Sequence, residues 1–189
     1  MDIVLASASP RRREICDLLG IGTTVCPAKA EPDFDPSLSA EDNALIVARA
    51  KAQEVAATLG TDRPVLGADT AVILDDADGY TALGKPADRA DAIAMLRRLS
   101  GREHRVLTGV WVCGKDREDG FVASATVRFA PMTDADIEAY VDTGEPMDKA
   151  GGYAIQGRCA RYIDGLDGDF YTVMGLPAAS LWRFLQSFL

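Results

Sequence analysis

Strand-like and helix-like runs alternate along most of this chain, yet at one place two strand-like runs follow each other directly. Arg105 to Cys113 and Phe121 to Phe129 flank the polar stretch Lys115-Asp116-Arg117-Glu118-Asp119-Gly120, which reads as a hairpin with a long tip. A short turn joins antiparallel neighbours, whereas parallel strands need a crossover of a dozen or more residues. The hairpin therefore excludes a purely parallel sheet, while the alternation elsewhere calls for helices flanking one. The expected fold is α/β, with a mixed central sheet and flanking helices. The 189 residues suit a single domain over 1–189, or two small lobes sharing a core.

The remaining elements follow from local signals. Asp2 to Ala6 reads as a short buried strand. Ser9 caps a helix with Pro10 in its first turn and Gly20 at its end, and Ile15, Leu18 and Leu19 form its buried stripe. Residues 27 to 39 read as a loop. A second helix starts at about Ser39 with Asp42 in a capping-box position, and Gly60 closes it. Leu45, Ala48, Ala52, Val55, Ala56 and Leu59 are its inward face. Pro64 to Leu74 is an apolar run broken by Gly67 and Asp69-Thr70, a central strand or strand pair, and Asp75 to Gly79 is a turn. Asp88 caps a third helix ended by Ser100-Gly101. Thr133 and Asp136 frame a fourth, with Ile137, Tyr140 and Val141 inward. The Gly-rich stretch 151 to 175 holds short strand-like pieces. A last helix after Leu176-Pro177 carries Leu181, Trp182, Leu185 and Phe188, as core or as a dimer face.

Charge narrows the partners. A formal net charge of −9 repels nucleic acid and anionic lipid, although basic residues gathered locally can still hold a small anion. Cys16, Cys26, Cys113 and Cys159 form no CxxC, and His104 is the only histidine. Reduced, mostly buried thiols are expected, with neither a zinc site nor a disulfide scaffold. No apolar run approaches the ~18 residues of a membrane span, and the first residues lack a signal-peptide pattern. The expected location is the cytoplasm.

Several residues suit phosphate chemistry. Ser7-Ala8-Ser9-Pro10-Arg11-Arg12-Arg13 puts two hydroxyls and three guanidiniums where a strand enters a helix. Free N–H groups at a helix N-terminus attract anions, and arginine forks match phosphate oxygens. Cations there oppose the helix dipole, so their placement points to an anion, a triphosphate cradle. A capped, solvated helix start is the plainer alternative. Asp69 interrupts an apolar strand, where a carboxylate is costly unless paired or binding metal. It either holds Mg²⁺ and activates water, or sits in a turn between two strands. Lys51, on the second helix, Lys85 in Leu83-Gly84-Lys85-Pro86, and Lys149 before Ala150-Gly151-Gly152 are each either solvated or convergent on one anion. Glu31 and Asp33 are loop acids, either solvated or of the kind a metal site would need beside Asp69. Gln156, in a Gly-flanked strand, could read a base edge or satisfy local backbone. His104 reads as solvated and non-catalytic. Neither a P-loop nor a dinucleotide fingerprint is present, and no serine or cysteine triad can be assembled.

These residues stand in stretches that resemble the Maf family of nucleotide pyrophosphatases, also named as septum-formation inhibitors. The stretches are Leu5-Ala6-Ser7-Ala8-Ser9-Pro10-Arg11-Arg12, Leu66-Gly67-Ala68-Asp69-Thr70, Leu83-Gly84-Lys85-Pro86, residues 145–157 from Glu145-Pro146 to Gln156-Gly157, and Val173-Met174-Gly175-Leu176-Pro177. They keep the family order and span nearly the whole chain. The resemblance implies two lobes around a mixed sheet with a deep cleft, similar to the inosine-triphosphate pyrophosphatases. It implies hydrolysis of nucleoside triphosphates between the α and β phosphates with Mg²⁺ or Mn²⁺, and a homodimer. By resemblance, Asp69 accepts the proton of the attacking water. Ser7, Arg11, Arg12, Lys51, Lys85 and Lys149 line the phosphate end, and Glu31 shares the metal with Asp69. Arg11, Thr70 and Gln156 match the subgroup that prefers dTTP and UTP, including modified pyrimidine nucleotides. The segment Tyr162 to Phe170 looks a few residues longer than the family's usual stretch. The rival reading, which the family's other name suggests, is a nucleotide-binding regulator of cell division without turnover.

Overall fold

The second helix shows how this sequence builds its core. In the computed structural model, which describes residues 1–77 and 79–188, that helix runs over Ala40–Leu59. Ser39 caps it, accepting from the Asp42 N–H at 3.0 Å, and Gly60 ends it in the left-handed conformation. Its buried face is small: Ala44, Val47, Ala48, Ala52 and Val55. The strands beneath it are glycine where it crosses. A Cβ on Gly67 would lie 2.2 Å from the Ala48 carbonyl oxygen, and one on Gly109 would lie 2.4 Å from that of Ala44. Alanine on the helix and glycine on the strands let two backbones approach more closely than larger side chains permit.

Seven strands and six α-helices make up the described structure. The order is β1 (Asp2–Leu5), α1 (Pro10–Leu18), β2 (Gly22–Val25), α2 (Ala40–Leu59), β3 (Val65–Asp76), β4 (Gly79–Leu83), α3 (Arg89–Leu99), β5 (Glu103–Cys113), β6 (Glu118–Phe129), α4 (Asp134–Val141), β7 (Ile163–Asp167), α5 (Phe170–Met174) and α6 (Ala178–Phe188). The strand order is β2-β1-β3-β5-β6-β7, with β4 on β3. Pairing of β1 with β2 and with β3 is parallel, while β3–β4 and β6–β7 are antiparallel. The expected mixed α/β sheet is therefore present.

The chain divides into two compact units. Unit 1 comprises Met1–Thr70, Thr108–Ala123 and Gly175–Leu189; unit 2 comprises Ala71–Leu107 and Ser124–Met174. Unit 1 has its core in β1, α1, α2 and α6, with Ile3, Leu5, Ile15, Leu66, Leu181 and Leu185 buried. In unit 2, Ile73, Leu74, Leu96, Leu99, Phe129 and Tyr140 are fully buried.

Several expectations change. Residues Asp75 and Asp76 belong to β3, and Gly79 opens β4, so the expected turn is largely a hairpin ladder; Asp78 within it, like Leu189, lies outside the described residues. Strand β2 stands where no strand was expected, because its Gly-Thr-Thr-Val carries no apolar alternation and gains its form by pairing with β1. The hairpin tip is shorter than expected: Gly114 N–H donates to Arg117 O at 2.9 Å and Glu118 already lies in β6. The stretch 145–162 is mostly 3-10 turns, and the described strand of that region is β7 alone. Ile15 on α1 and Ala48, Ala52 and Val55 on α2 are buried as expected, but Leu18 and Leu59 are 64% and 45% exposed, so the stripes shift toward Cys16 and toward Ala44 and Val47. On α6, Phe188 is buried under the Arg117 guanidinium, while Trp182 remains half-exposed.

Candidate active site

In unit 1 the loop from β1 into α1 turns on Ser7 and Ser9. The Ser9 side chain caps α1 by accepting from Arg12 N–H. Ser7 Oγ accepts from Ser9 N–H at 3.2 Å and from Arg12 Nη1 at 3.0 Å. Arg12 folds back into the unit rather than outward. Its Nε donates to Gly175 O at 2.9 Å, Nη1 also to Ala68 O at 2.9 Å, and Nη2 to Thr70 Oγ1 at 3.1 Å. One guanidinium thus ties the β1–α1 loop, β3 and the segment before α6. Thr70 Oγ1 also shares a proton with Thr108 Oγ1 at 3.0 Å. Burial lowers the pKa of Arg12 from its usual value, opposed by the negative charge of Asp69 and reinforced by the positive charge of Arg11. Arg11, half-buried, occupies the first turn of α1.

The close approach of α2 to β3 brings Lys51 to Asp69. Lys51 neighbours Ala52 on the helix, and Asp69 stands two residues after Gly67 on the strand. Lys51 Nζ donates to Asp69 Oδ1 at 2.8 Å, with side-chain exposures of 12% and 16%. Glu31 Oε1 lies 3.4 Å from the same ammonium, although its own side chain is largely exposed. Two α2 residues that sequence reasoning passed over hold the loop carrying Glu31. Glu54 accepts from Lys29 N–H at 2.9 Å and Ala30 N–H at 2.6 Å. Buried Asn43 accepts from Asp35 N–H at 2.7 Å and donates to Asp35 O at 2.8 Å. A buried asparagine inside a helix was the available signal, since that residue favours backbone partners over helix interiors. Asp33 is exposed on this loop.

Unit 2 carries Lys85, Lys149 and Gln156 on turns. Gly151 N–H donates to Gly84 O at 3.0 Å, which joins the Lys85 turn to the Lys149 segment. Gly151 has φ 69°, and a Cβ there would meet Val72 Cγ2 at 2.8 Å, so the junction requires glycine. Lys149 Nζ donates to Glu145 O at 2.7 Å and pairs with Asp148. Lys85 is exposed. Gln156 is also exposed and lies in a turn rather than the expected strand, because the 3-10 turns on either side leave it no neighbouring strand. His104 is buried, not solvated: its Nε2 meets Tyr153 Oη at 2.8 Å, and its ring lies edge-on to Phe129 and Tyr153. Burial drives its pKa down to about 4. All four cysteines are free thiols, three of them buried and Cys26 half-buried.

Sequence-predicted site residues thus fall in two sets. Ser7, Ser9, Arg11, Arg12, Glu31, Lys51, Asp69 and Thr70 share unit 1; Lys85, Lys149 and Gln156 share unit 2. The first set combines a helix N-terminus, hydroxyls and cations with an ion-paired carboxylate, groups able to hold an anion and to accept a proton.

The family model described as Maf-like protein matches residues 2–188. A dTTP/UTP pyrophosphatase of Bacillus velezensis is 45% identical over 98% of this chain and 96% of its own length. Those of Pseudoalteromonas translucida and Thermococcus gammatolerans are 42% and 43% identical, over 99% and 97% of this chain and 97% and 95% of theirs. The chain belongs to the Maf family. Among solved structures, the Staphylococcus aureus Ham1 protein superposes with a TM-score of 0.53 at 16% identity, covering all of both chains, a likeness of fold.

Proposed function

We propose that this chain, as a single Maf-type domain, hydrolyses nucleoside triphosphates between the α and β phosphates, giving a nucleoside monophosphate and diphosphate. dTTP and UTP, with modified pyrimidine nucleotides, are the preferred substrates and the role is nucleotide-pool cleansing. The observation that carries this reading is the Lys51–Asp69 pair beside the capped start of α1. The curated names of relatives at 42–45% identity support it.

The chemistry follows from the groups in place. Asp69 takes a proton from the attacking water as the phosphoanhydride bond breaks and the diphosphate leaves with the bonding pair. Lys51 holds the Asp69 carboxylate in position and, with Lys85, offsets charge on the departing group. Ser7 Oγ already accepts two hydrogen bonds, so its own O–H is left to donate, which is what a phosphate oxygen requires. Ser9, Arg11 and Lys149 complete the phosphate contacts. Arg12 contributes mainly through its charge, four of its five N–H groups being committed to protein oxygens. Thr70, Arg11 and Gln156 read the base.

Glu31 and Asp69 fit a divalent cation. Both carboxylates face one ammonium position, and oxygen donors suit Mg²⁺ or Mn²⁺. Among the described residues no group of three or more His, Cys, Asp or Glu could hold a metal ion, so phosphate oxygens and water would complete the shell. When bound, such a cation would polarise the phosphates.

No described helix is long and apolar enough to cross a membrane. We place the protein in the cytoplasm as a homodimer acting on free nucleotides, the net charge of −9 disfavouring nucleic-acid polymers and membranes. A nucleotide panel with Mg²⁺ and with Mn²⁺, resolving diphosphate from orthophosphate, tests the reading. Fastest diphosphate release from dTTP and UTP is expected. Binding without hydrolysis would replace it with the cell-division regulator, and orthophosphate as sole product with a phosphatase.

A further inference from the structure

Gln156 stands on an exposed turn, and an exposed glutamine is a poor reader of anything unless its backbone is held. Glu145 supplies the hold. Its Oε1 accepts from Tyr140 O–H at 2.7 Å, and its Oε2 accepts from Arg158 N–H at 3.1 Å. Tyr140 Oη in turn accepts from Ala154 N–H at 3.2 Å. Both ends of the segment 154–158 are thus fastened to one buried tyrosine and one carboxylate. Gly157, beside Gln156, lies against that carboxylate so closely that a Cβ would sit 2.3 Å from Glu145 Oε1. The main chain of Glu145 meanwhile accepts from Lys149 Nζ at 2.7 Å.

We propose that Glu145, acting with Tyr140, is a positioning residue for nucleotide selectivity: it straps the turn that presents Gln156. The proposal rests on Gln156 reading the base, as set out above. It explains why a carboxylate stands here. Tyr140 accepts one proton from Ala154 and so spends its own on Glu145, while the Arg158 amide has only a proton to give. Glu145 therefore faces two donors, one at each oxygen, and a glutamine can satisfy only one of them because its second atom is itself a donor. The Lys149 contact uses the backbone oxygen and survives any side-chain change.

The test is steady-state kinetics on dTTP, UTP, ATP and GTP for wild type, Glu145→Gln, Gln156→Ala and the double variant, with amide hydrogen exchange of the 154–158 segment. Glu145→Gln is expected to raise KM for the preferred nucleotides by about tenfold with a smaller change in kcat, and to narrow the preference over purines. Arg158 N–H should exchange faster. The double variant should be no worse in selectivity than Gln156→Ala, because both changes act through one group. Tyr140→Phe, which keeps the core ring, should release Ala154 N–H and repeat the KM effect more weakly. The proposal is overturned if Glu145→Gln lowers kcat equally on all nucleotides with KM and preference intact, or if its selectivity loss adds to that of Gln156→Ala. Unchanged preference in Gln156→Ala would sink the base-reading role instead. Hydrogen exchange then decides the strap: faster exchange at Arg158 in Glu145→Gln sustains it, and wild-type exchange removes it.

Discussion

The two units handle buried polarity in opposite ways. Unit 1 draws charges inward and satisfies them there: Arg12 donates to backbone oxygens and hydroxyls from three segments, and Lys51 lies against Asp69. Unit 2 buries a neutral pair, His104 with Tyr153, holds one largely buried cation, Lys149, on a backbone oxygen, and leaves ion pairs such as Arg89–Asp142 at the surface. A half-buried charge holds strong electrostatics in reserve for a ligand, whereas a neutral pair in an aromatic setting serves packing. The charged candidates of unit 1 therefore sit mostly on regular elements, Arg11 and Arg12 on α1, Lys51 on α2 and Asp69 on β3, with Glu31 on a loop. The candidates of unit 2, Lys85, Lys149 and Gln156, ride on turns, and the junction of the first two requires glycine at position 151.

The largest expected effect comes from removing the base. Asp69→Asn should lower kcat by about 10³-fold while nucleotide affinity stays within a few-fold, since Glu31 still faces Lys51 and the cations remain. Rates at several nucleotide concentrations, with direct binding, separate the two quantities. Wild-type turnover in this variant would take the base role away from Asp69.

Next comes the clamp. Lysine at position 12 offers one ammonium in place of a planar fork, and cannot reach Gly175 O, Ala68 O, Ser7 and Thr70 together. Arg12→Lys should cost about 4 kcal/mol in denaturant unfolding, because oxygens buried around the guanidinium lose their donors. Stability equal to wild type would show that unit 1 does not depend on its internal charges.

Unit 2 should respond to acid instead. His104 has its pKa lowered to about 4 by burial, and among the described residues its Nδ1 has no hydrogen-bond partner. The unfolded value is ~6.5, so protons bind the unfolded chain more readily. The cost is absent above pH ~6.5, grows as pH falls, and levels off below about 4, reaching about 3 kcal/mol. His104→Phe should flatten the stability profile across that window while adding a pH-independent loss from Tyr153 Oη left unpaired. Unfolding midpoints at several pH values read both parts.

His104 also shows where sequence reasoning reached its limit. Its neighbours Arg102, Glu103 and Arg105 suggest solvent, but alternation along β5 turns its side chain to the other face, beside Phe129. Caps were legible because they are local: Ser9, Ser39, Asp88 and Thr133 each accept from an N–H three residues on. So was the need of Asp69 for a partner, since it stood out against apolar neighbours and meets Lys51. Nothing local announced β2, whose form comes from pairing with β1, or the 3-10 turns around Gln156, whose shape depends on Glu145 and Tyr140. The burial of Arg12 was equally hidden, because its partners at 68, 70 and 175 are distant in sequence.

The smallest expected effect tests whether position, rather than charge itself, separates the units. Arg89 and Asp142 meet at 2.8 Å, the same separation as Lys51 and Asp69, but with side chains 54% and 60% exposed. Water screens such a pair, and fixing two long side chains costs entropy that offsets most of the attraction. The Asp142 contact holds the Arg89 pKa above its usual value, a direction that signals attraction without implying much stability. Arg89→Gln should therefore leave the unfolding midpoint and turnover within error of wild type. Added salt should change neither, because little surface attraction remains to be screened. A clear loss of stability in this variant would mean that α3 and α4 rely on their surface ion pairs, and the contrast would then rest on the number of charges in each unit rather than on their burial.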